Sequence, residues 1–131
     1  LRPALEWKTS IVHIKELPAN TPVSYAGSWS SPRNSQIATL PVGYADGYPR
    51  SLGNQAEVLI GGKRAPIVGN ICMDLCMADI SGLENVTIGD EVVLLGKQGK
   101  ETIDAYEVAL WAKTIPYEIT TGISYRVPRK Y

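Results

Sequence analysis

Residues 56–69, AEVLIGGKRAPIVG, set two β-rich stretches either side of Gly61-Gly62. A two-residue glycine connection of this kind signals a hairpin, because the favoured turn needs positive φ at both central residues. The same rhythm of short apolar stretch and turn recurs along most of the chain. QIATLPVGY ends at Asp46-Gly47, and Gly89-Asp90 precedes the continuous apolar run in EVVLLG. LEWKTSIVHIKEL, rich in Trp, Thr, Ile and Val, runs to Pro18 and is followed by TPVSYAGSW. NICMDLCMADI alternates Ile71, Met73, Leu75 and Met77 against Cys72, Asp74, Cys76 and Ala78, which is the period of a strand. Strands this short must pack on one another to bury their apolar faces. The expected fold is all-β, a small β-barrel-like domain with one short helix near the C-terminus. A sandwich is the other arrangement the pattern allows.

The helix is expected in TIDAYEVALWAKTIP. Asp104 with Glu107 three residues later has the form of a capping box, and Ile103 with Val108 that of a hydrophobic staple. Thr102 is the competing cap, and Pro116 is read as the stop. The last piece, YEITTGISYRVPRKY, returns to strand character.

Hydrophobic residues make up 44% and charged residues 20% of the 131, an ordinary balance for a globular chain. One domain over residues 1–131 accommodates them. Thirteen basic and thirteen acidic residues cancel with no basic run, which argues against nucleic acid as a partner. No apolar run approaches the roughly 18 residues of a membrane span. The opening LRPALEWKTSIVHIKEL carries no signal-peptide pattern and is read as the interior of a longer protein.

Cys72 and Cys76 are the only cysteines. On one strand they would face the same way, about 13 Å apart. That exceeds the Cα reach of a disulfide, roughly 7 Å, and fits a reducing compartment. His13, the only histidine, alternates with Ile and Val and is read as a strand residue. A Cys/His metal site lacks ligands here, and a Ser–His or Cys–His nucleophile pair would have to be built around His13 alone.

Four strings stand out from this β-domain reading: VSYAGSW at Tyr25, PVGYADGYPR at Tyr44 and Tyr48, GNICMD at Met73, and GISYRVPR at Tyr125. Each alone is ordinary. Tyrosines half-bury in strands, Gly43 and Gly47 serve turns, and Met73 suits a core. On the residues alone, a non-catalytic β-barrel interaction module with buried tyrosines stays open beside an enzyme.

In this order, together with LEWKT, APIVGNICMD and IGDEVVLLG, the strings resemble the C-terminal domain of alanine racemases, fold-type III pyridoxal phosphate enzymes. The resemblance covers essentially the whole chain, and GYADG paired with ICMD is its most specific part. It implies a two-domain subunit in which an N-terminal α/β barrel, absent from these residues, holds pyridoxal 5'-phosphate through a lysine. It also implies a cytoplasmic head-to-tail homodimer, in which the β-domain of one subunit reaches the cofactor of the other. The implied reaction interconverts L- and D-alanine and supplies D-alanine for peptidoglycan, with serine or a broader amino acid range as the alternative. The isolated domain is expected to be inactive.

Racemisation removes the α-proton from one face and returns one on the other, so two bases, one per face, answer the geometry. The resemblance makes Tyr25 the base opposite the cofactor lysine, with small neighbours leaving room beside its hydroxyl. Free tyrosine ionises at about pH 10, so a phenolate at pH 7 needs about 4 kcal/mol of help from cations or donors. By resemblance these come from the partner subunit's barrel. The resemblance further assigns the Met73 backbone N–H to the substrate carboxylate, Tyr44 to the inner gate of the substrate channel, and Tyr125 to the cofactor phosphate. Asp74, Arg50 and Ile123 match channel or gate positions. Asn70 stands where some members carry arginine. No lysine here lies in a stretch matching the family's cofactor-lysine motif, and no metal is implied. A channel narrowed by Tyr25, Tyr44 and Tyr125 favours alanine over lysine or arginine as substrate. It rejects the hydroxyl of serine only weakly.

Overall fold

In the computed structural model, which describes residues 2–131, the first expected strand breaks in two. Strand β1 spans Trp7–Ser10 and β2 spans His13–Leu17. Between them, Ile11 N donates to Asp90 O (3.1 Å) and Val12 N donates to Thr39 O (3.1 Å). Consecutive amides therefore serve two different neighbours, and the chain bends from one to the other. His13 lies on β2, as expected, with its side chain exposed.

Eight further strands follow: β3 (Pro22–Val23), β4 (Trp29–Ser30), β5 (Ser35–Leu40), β6 (Glu57–Ile60), β7 (Lys63–Val68), β8 (Cys76–Asp79), β9 (Glu91–Gln98) and β10 (Glu101–Ile103). The main sheet runs β1-β9-β6-β7-β8-β5-β2, with β10 paired to β9. Every pairing is antiparallel. Because β1 and β2 are successive halves of one segment, the two ends of the sheet meet through the chain itself. The sheet thus curls so that its two end strands are joined through the chain. The fold is all-β with short helices.

The glycine hairpin forms as expected. Ile60 pairs with Lys63, and Gly61 and Gly62 carry φ of 61° and 76°. Strand β9 is buried at four consecutive residues, Val92–Leu95, so both of its faces are covered. Trp7 and Tyr48 close part of the core edge-to-face, with centroids 5.8 Å apart at 85°.

Two stretches depart from strand expectation. TPVSYAGSW contains β3 and runs into β4, but a 3₁₀ turn at Tyr25–Gly27 separates them. Within NICMDLCMADI only Cys76–Asp79 is a strand. Residues 70–75 form a loop, closed by Cys72 N donating to Leu75 O (2.9 Å). Met73 and Leu75 are exposed, so their alternation reflects a surface and not a core-facing strand. Cys72 and Cys76 are both free thiols.

Helix α1 spans Ala105–Ala112. Asp104 is its N-cap, its side chain accepting from Glu107 N (2.8 Å), while Thr102, the competing cap, lies in β10. Ile103 and Val108 are both buried in the main core. Pro116 does not end the helical region. It opens a second helix, α2, Pro116–Thr121, at the first helical position, where its missing N–H costs nothing and its fixed φ suits the helix. Ile119 of α2 joins the core, and no strand forms among residues 122–131. The C-terminal expectation of strand is therefore corrected to a helix and an irregular tail. Arg64 on β7 ties the helical corner to the sheet. It donates to Glu101 (3.0 Å), to Glu107 (2.9 and 3.0 Å) and to Thr102 O (2.9 Å).

Candidate active site

Three of the motif loops are fitted to one another at backbone level. Tyr44 N donates to Cys72 O and Ala45 N to Met73 O, both at 3.0 Å. Gly43 permits this approach, since a Cβ there would lie 2.2 Å from Cys72 O and 2.4 Å from Met73 O. Gly47, at φ 97°, meets the third loop, where a Cβ would lie 2.1 Å from Gly122 O. Ser124 N donates to Asp46 O (2.8 Å). The glycines of GYADG are thus needed for close approach as well as for turning.

Arg126 completes the join. Its Nε donates to Asp46 Oδ1 at 2.7 Å and its Nη2 to Asp74 Oδ1 at 2.5 Å. Asp46 Oδ2 in turn accepts from Gly43 N at 2.9 Å. The two carboxylates hold the Arg126 guanidinium further towards its charged form than usual. One side chain therefore spans GYADG, ICMD and ISYR, and neither it nor Asp46 is among the residues expected to form the site. A signal for it was present, since each of the two upstream motifs carries an acid and the last carries an arginine beside Tyr125.

The Tyr25 turn attaches to the same loop through Asn70. Ser24 Oγ donates to Asn70 O (2.7 Å), and Asn70 Nδ2 donates to Tyr25 O (2.9 Å). The flanking residues have unusual backbones: Ser24 at φ 68°, ψ −175° and Ala26 at φ 60°, ψ 7°. The first is a region used almost only by glycine, and each such residue costs on the order of 1–3 kcal/mol. Small side chains beside Tyr25 thus have a backbone reason as well as a steric one.

The structure therefore places Tyr25, Tyr44, Met73, Asp74, Ile123 and Tyr125 on four loops linked by hydrogen bonds, the Tyr25 turn through Asn70. Arg50 begins the 3₁₀ turn Arg50–Leu52 just downstream of GYADG and points outward. Tyr25 is 68% exposed, Tyr44 44%, Met73 53% and Tyr125 98%, while Ile123 is half-buried. Tyr48, the remaining tyrosine of these strings, is a core residue. Met73 N–H makes no hydrogen bond among the described residues. The four loops contain no lysine. A nearby concavity of about 700 Å³, between residues 3–8 and the C-terminal tail, takes in only Ile123 of the expected site residues. The motif face is thus an open surface offering phenol hydroxyls, an amide N–H and an acid–guanidinium cluster. No group of His, Cys, Asp or Glu among the described residues could hold a metal ion.

Residues 4–131 match the family described as alanine racemase, C-terminal domain. An alanine racemase of Halothermothrix orenii is 55% identical over 131 residues, covering 100% of this chain and 35% of that protein. The crystal structure of alanine racemase from E. faecalis superposes with TM-score 0.95 at 40% identity, covering 100% of this chain and 34% of that one. Alanine racemase from Bartonella henselae, with covalently bound pyridoxal phosphate, superposes with TM-score 0.90 at 35% identity, covering 96% of this chain and 34% of that one. The chain spans about a third of the length of the relatives it matches. It belongs to the alanine racemase C-terminal domain family.

Proposed function

We propose that residues 1–131 act as the C-terminal β-domain of an alanine racemase, with Tyr25 as the proton-transferring group on one face of the substrate. The observation that carries this reading is the exposed phenol of Tyr25 on a turn bonded through Asn70 to the loop that presents Met73 N–H. A base and a carboxylate anchor on adjoining loops are what proton transfer at the α-carbon of an amino acid requires.

The site face suits pyridoxal phosphate as cofactor. The Tyr125 hydroxyl is free to donate to a phosphate oxygen, and the loops carry no amine that would compete for the carbonyl carbon. When bound, the cofactor supplies the electron sink that makes the α-proton removable. The second base, an amine, then comes from another segment. We assign it to an N-terminal barrel, with Tyr25 facing the barrel of the other subunit in a head-to-tail homodimer. The exposed tyrosines would be covered there, which also excludes water from the reacting carbon. Tyr44 and Tyr125 narrow the approach, with Arg50, Asp74 and Ile123 further out, and so favour a small side chain. The two free thiols fit a reducing, cytoplasmic setting. No helix among the described residues is long and apolar enough to cross a membrane.

The test is to incubate the complete polypeptide that carries these residues with pyridoxal phosphate and either L-alanine or L-serine, then resolve the enantiomers by chiral chromatography. Faster formation of D-alanine than of D-serine is expected. Absence of both products contradicts the reading, and D-serine as the faster product contradicts the substrate assignment.

A further inference from the structure

Tyr25 is held by little side-chain packing among the described residues. No residue of the turn Tyr25–Gly27 is buried, and the Tyr25 ring is mostly exposed. The position of its hydroxyl therefore depends on the backbone, and that backbone is in conformations that persist only when neighbours enforce them. Two asparagines bond to the turn and its flanks. Asn54 donates to Ser28 O (3.4 Å) and Ser28 Oγ (3.2 Å), while its Oδ1 accepts from Gly69 N (2.7 Å). Asn70 takes the other end. Its carbonyl accepts from Ser24 Oγ and its carboxamide donates to Tyr25 O. Only the amide nitrogen can donate to a carbonyl, so that contact also fixes which way the Asn70 side chain faces.

We propose that Asn70 is a positioning residue for Tyr25. By holding the peptides on both sides of Tyr25 in their left-handed conformations, it sets where the phenol hydroxyl stands. This rests on the reading of Tyr25 as a base, and it goes beyond that reading by naming what aims the base. Asn70 itself touches neither substrate nor proton. Alanine at this position keeps the backbone carbonyl that accepts from Ser24 Oγ but loses the side-chain bond to Tyr25 O.

The experiment uses the complete polypeptide loaded with pyridoxal phosphate and compares wild type with Asn70→Ala, Asn70→Asp, Tyr25→Phe and the double variant Asn70→Ala/Tyr25→Phe. Three readouts are taken: racemisation, exchange of the α-hydrogen with deuterated water starting from each enantiomer, and amide hydrogen exchange at residues 25–27. The last needs no cofactor. For both Asn70 variants, racemisation is expected to fall by about 10- to 100-fold, the scale of a misplaced catalytic group. α-Hydrogen exchange from L-alanine should fall with it, and exchange from D-alanine at the amine face should stay near wild type. Amide exchange at 25–27 should quicken. In the Tyr25→Phe background, Asn70→Ala should add nothing. Wild-type racemisation in both Asn70 variants, or equal loss of exchange from both enantiomers, overturns the positioning role while leaving Tyr25 in place. Wild-type racemisation in Tyr25→Phe overturns the underlying reading instead.

Discussion

Arg126 Nε donates to Asp46 Oδ1 across 2.7 Å, joining side chains eighty positions apart in sequence. The second hydrogen bond, to Asp74, makes Arg126 a side chain that spans all three of the interlocked motif loops. Arg126 lies at the surface, where ion pairs add little to stability. Its importance is therefore expected in the alignment of loops 43–47, 70–75 and 122–126.

For Arg126→Gln in the complete polypeptide, the denaturant midpoint of unfolding should stay close to that of wild type. KM for alanine should rise by about fivefold, because the loop bearing Met73 N–H loses its tether. Denaturant titration and steady-state kinetics on the same preparation separate the two effects. An unchanged KM would show that the backbone bonds alone align the loops.

Gly43→Ala tests the backbone fit directly. The added Cβ would stand 2.2 Å from Cys72 O, so the loops must part and the bonds from Tyr44 and Ala45 must stretch. A loss of about 1–3 kcal/mol is expected, as for other overpacked sites, measured by equilibrium unfolding. Gly47→Ala should behave alike, since its Cβ would meet Gly122 O and its φ is 97°.

Alkaline pH should weaken the fold through Cys76. Burial pushes its thiol well above the ordinary range, with Cys72 and Asp46 adding to the shift. Burial raises Tyr48 likewise, with Cys76 adding to it. In the unfolded chain these groups ionise at about 8.5 and about 10. Above about pH 8.5 the unfolded state therefore binds fewer protons than the native state, and stability falls as pH rises. Below that pH the contribution is fully present. The expected slope is about 1.4 kcal/mol per pH unit for each titrating group. It should be shallower in Cys76→Ala than in wild type when unfolding is followed from pH 8 to pH 10.

Local signals suffice where one residue's chemistry decides the structure. Gly61-Gly62 turns because both need positive φ, and Asp104 caps because its carboxylate reaches Glu107 N. Local signals fail where tertiary contacts decide. Ile119, Thr120 and Thr121 have strand composition, yet Pro116 is well placed to start a helix and Ile119 docks into the core. Met73 and Leu75 continue an apolar alternation but belong to a loop with an exposed face. The break at Ile11–Val12 depends on which neighbour each amide finds, and no local signal carries that. At the site, the four tyrosine and methionine strings were legible as a set. The roles of Arg126 and Asp46 were not, because their meeting requires the fold to bring positions 46, 74 and 126 together.

The most direct measurement is α-hydrogen exchange in deuterated water by the Tyr25→Phe variant of the complete, pyridoxal phosphate-loaded polypeptide. An equilibrium constant of one obliges kcat/KM to fall equally in both directions, so steady-state racemisation cannot tell the two faces apart, whereas exchange from each enantiomer can. The account predicts that racemisation and exchange from L-alanine fall together, while D-alanine continues to exchange its α-hydrogen at the amine face without inverting. Racemisation at the wild-type rate, or exchange surviving only from L-alanine, would contradict it.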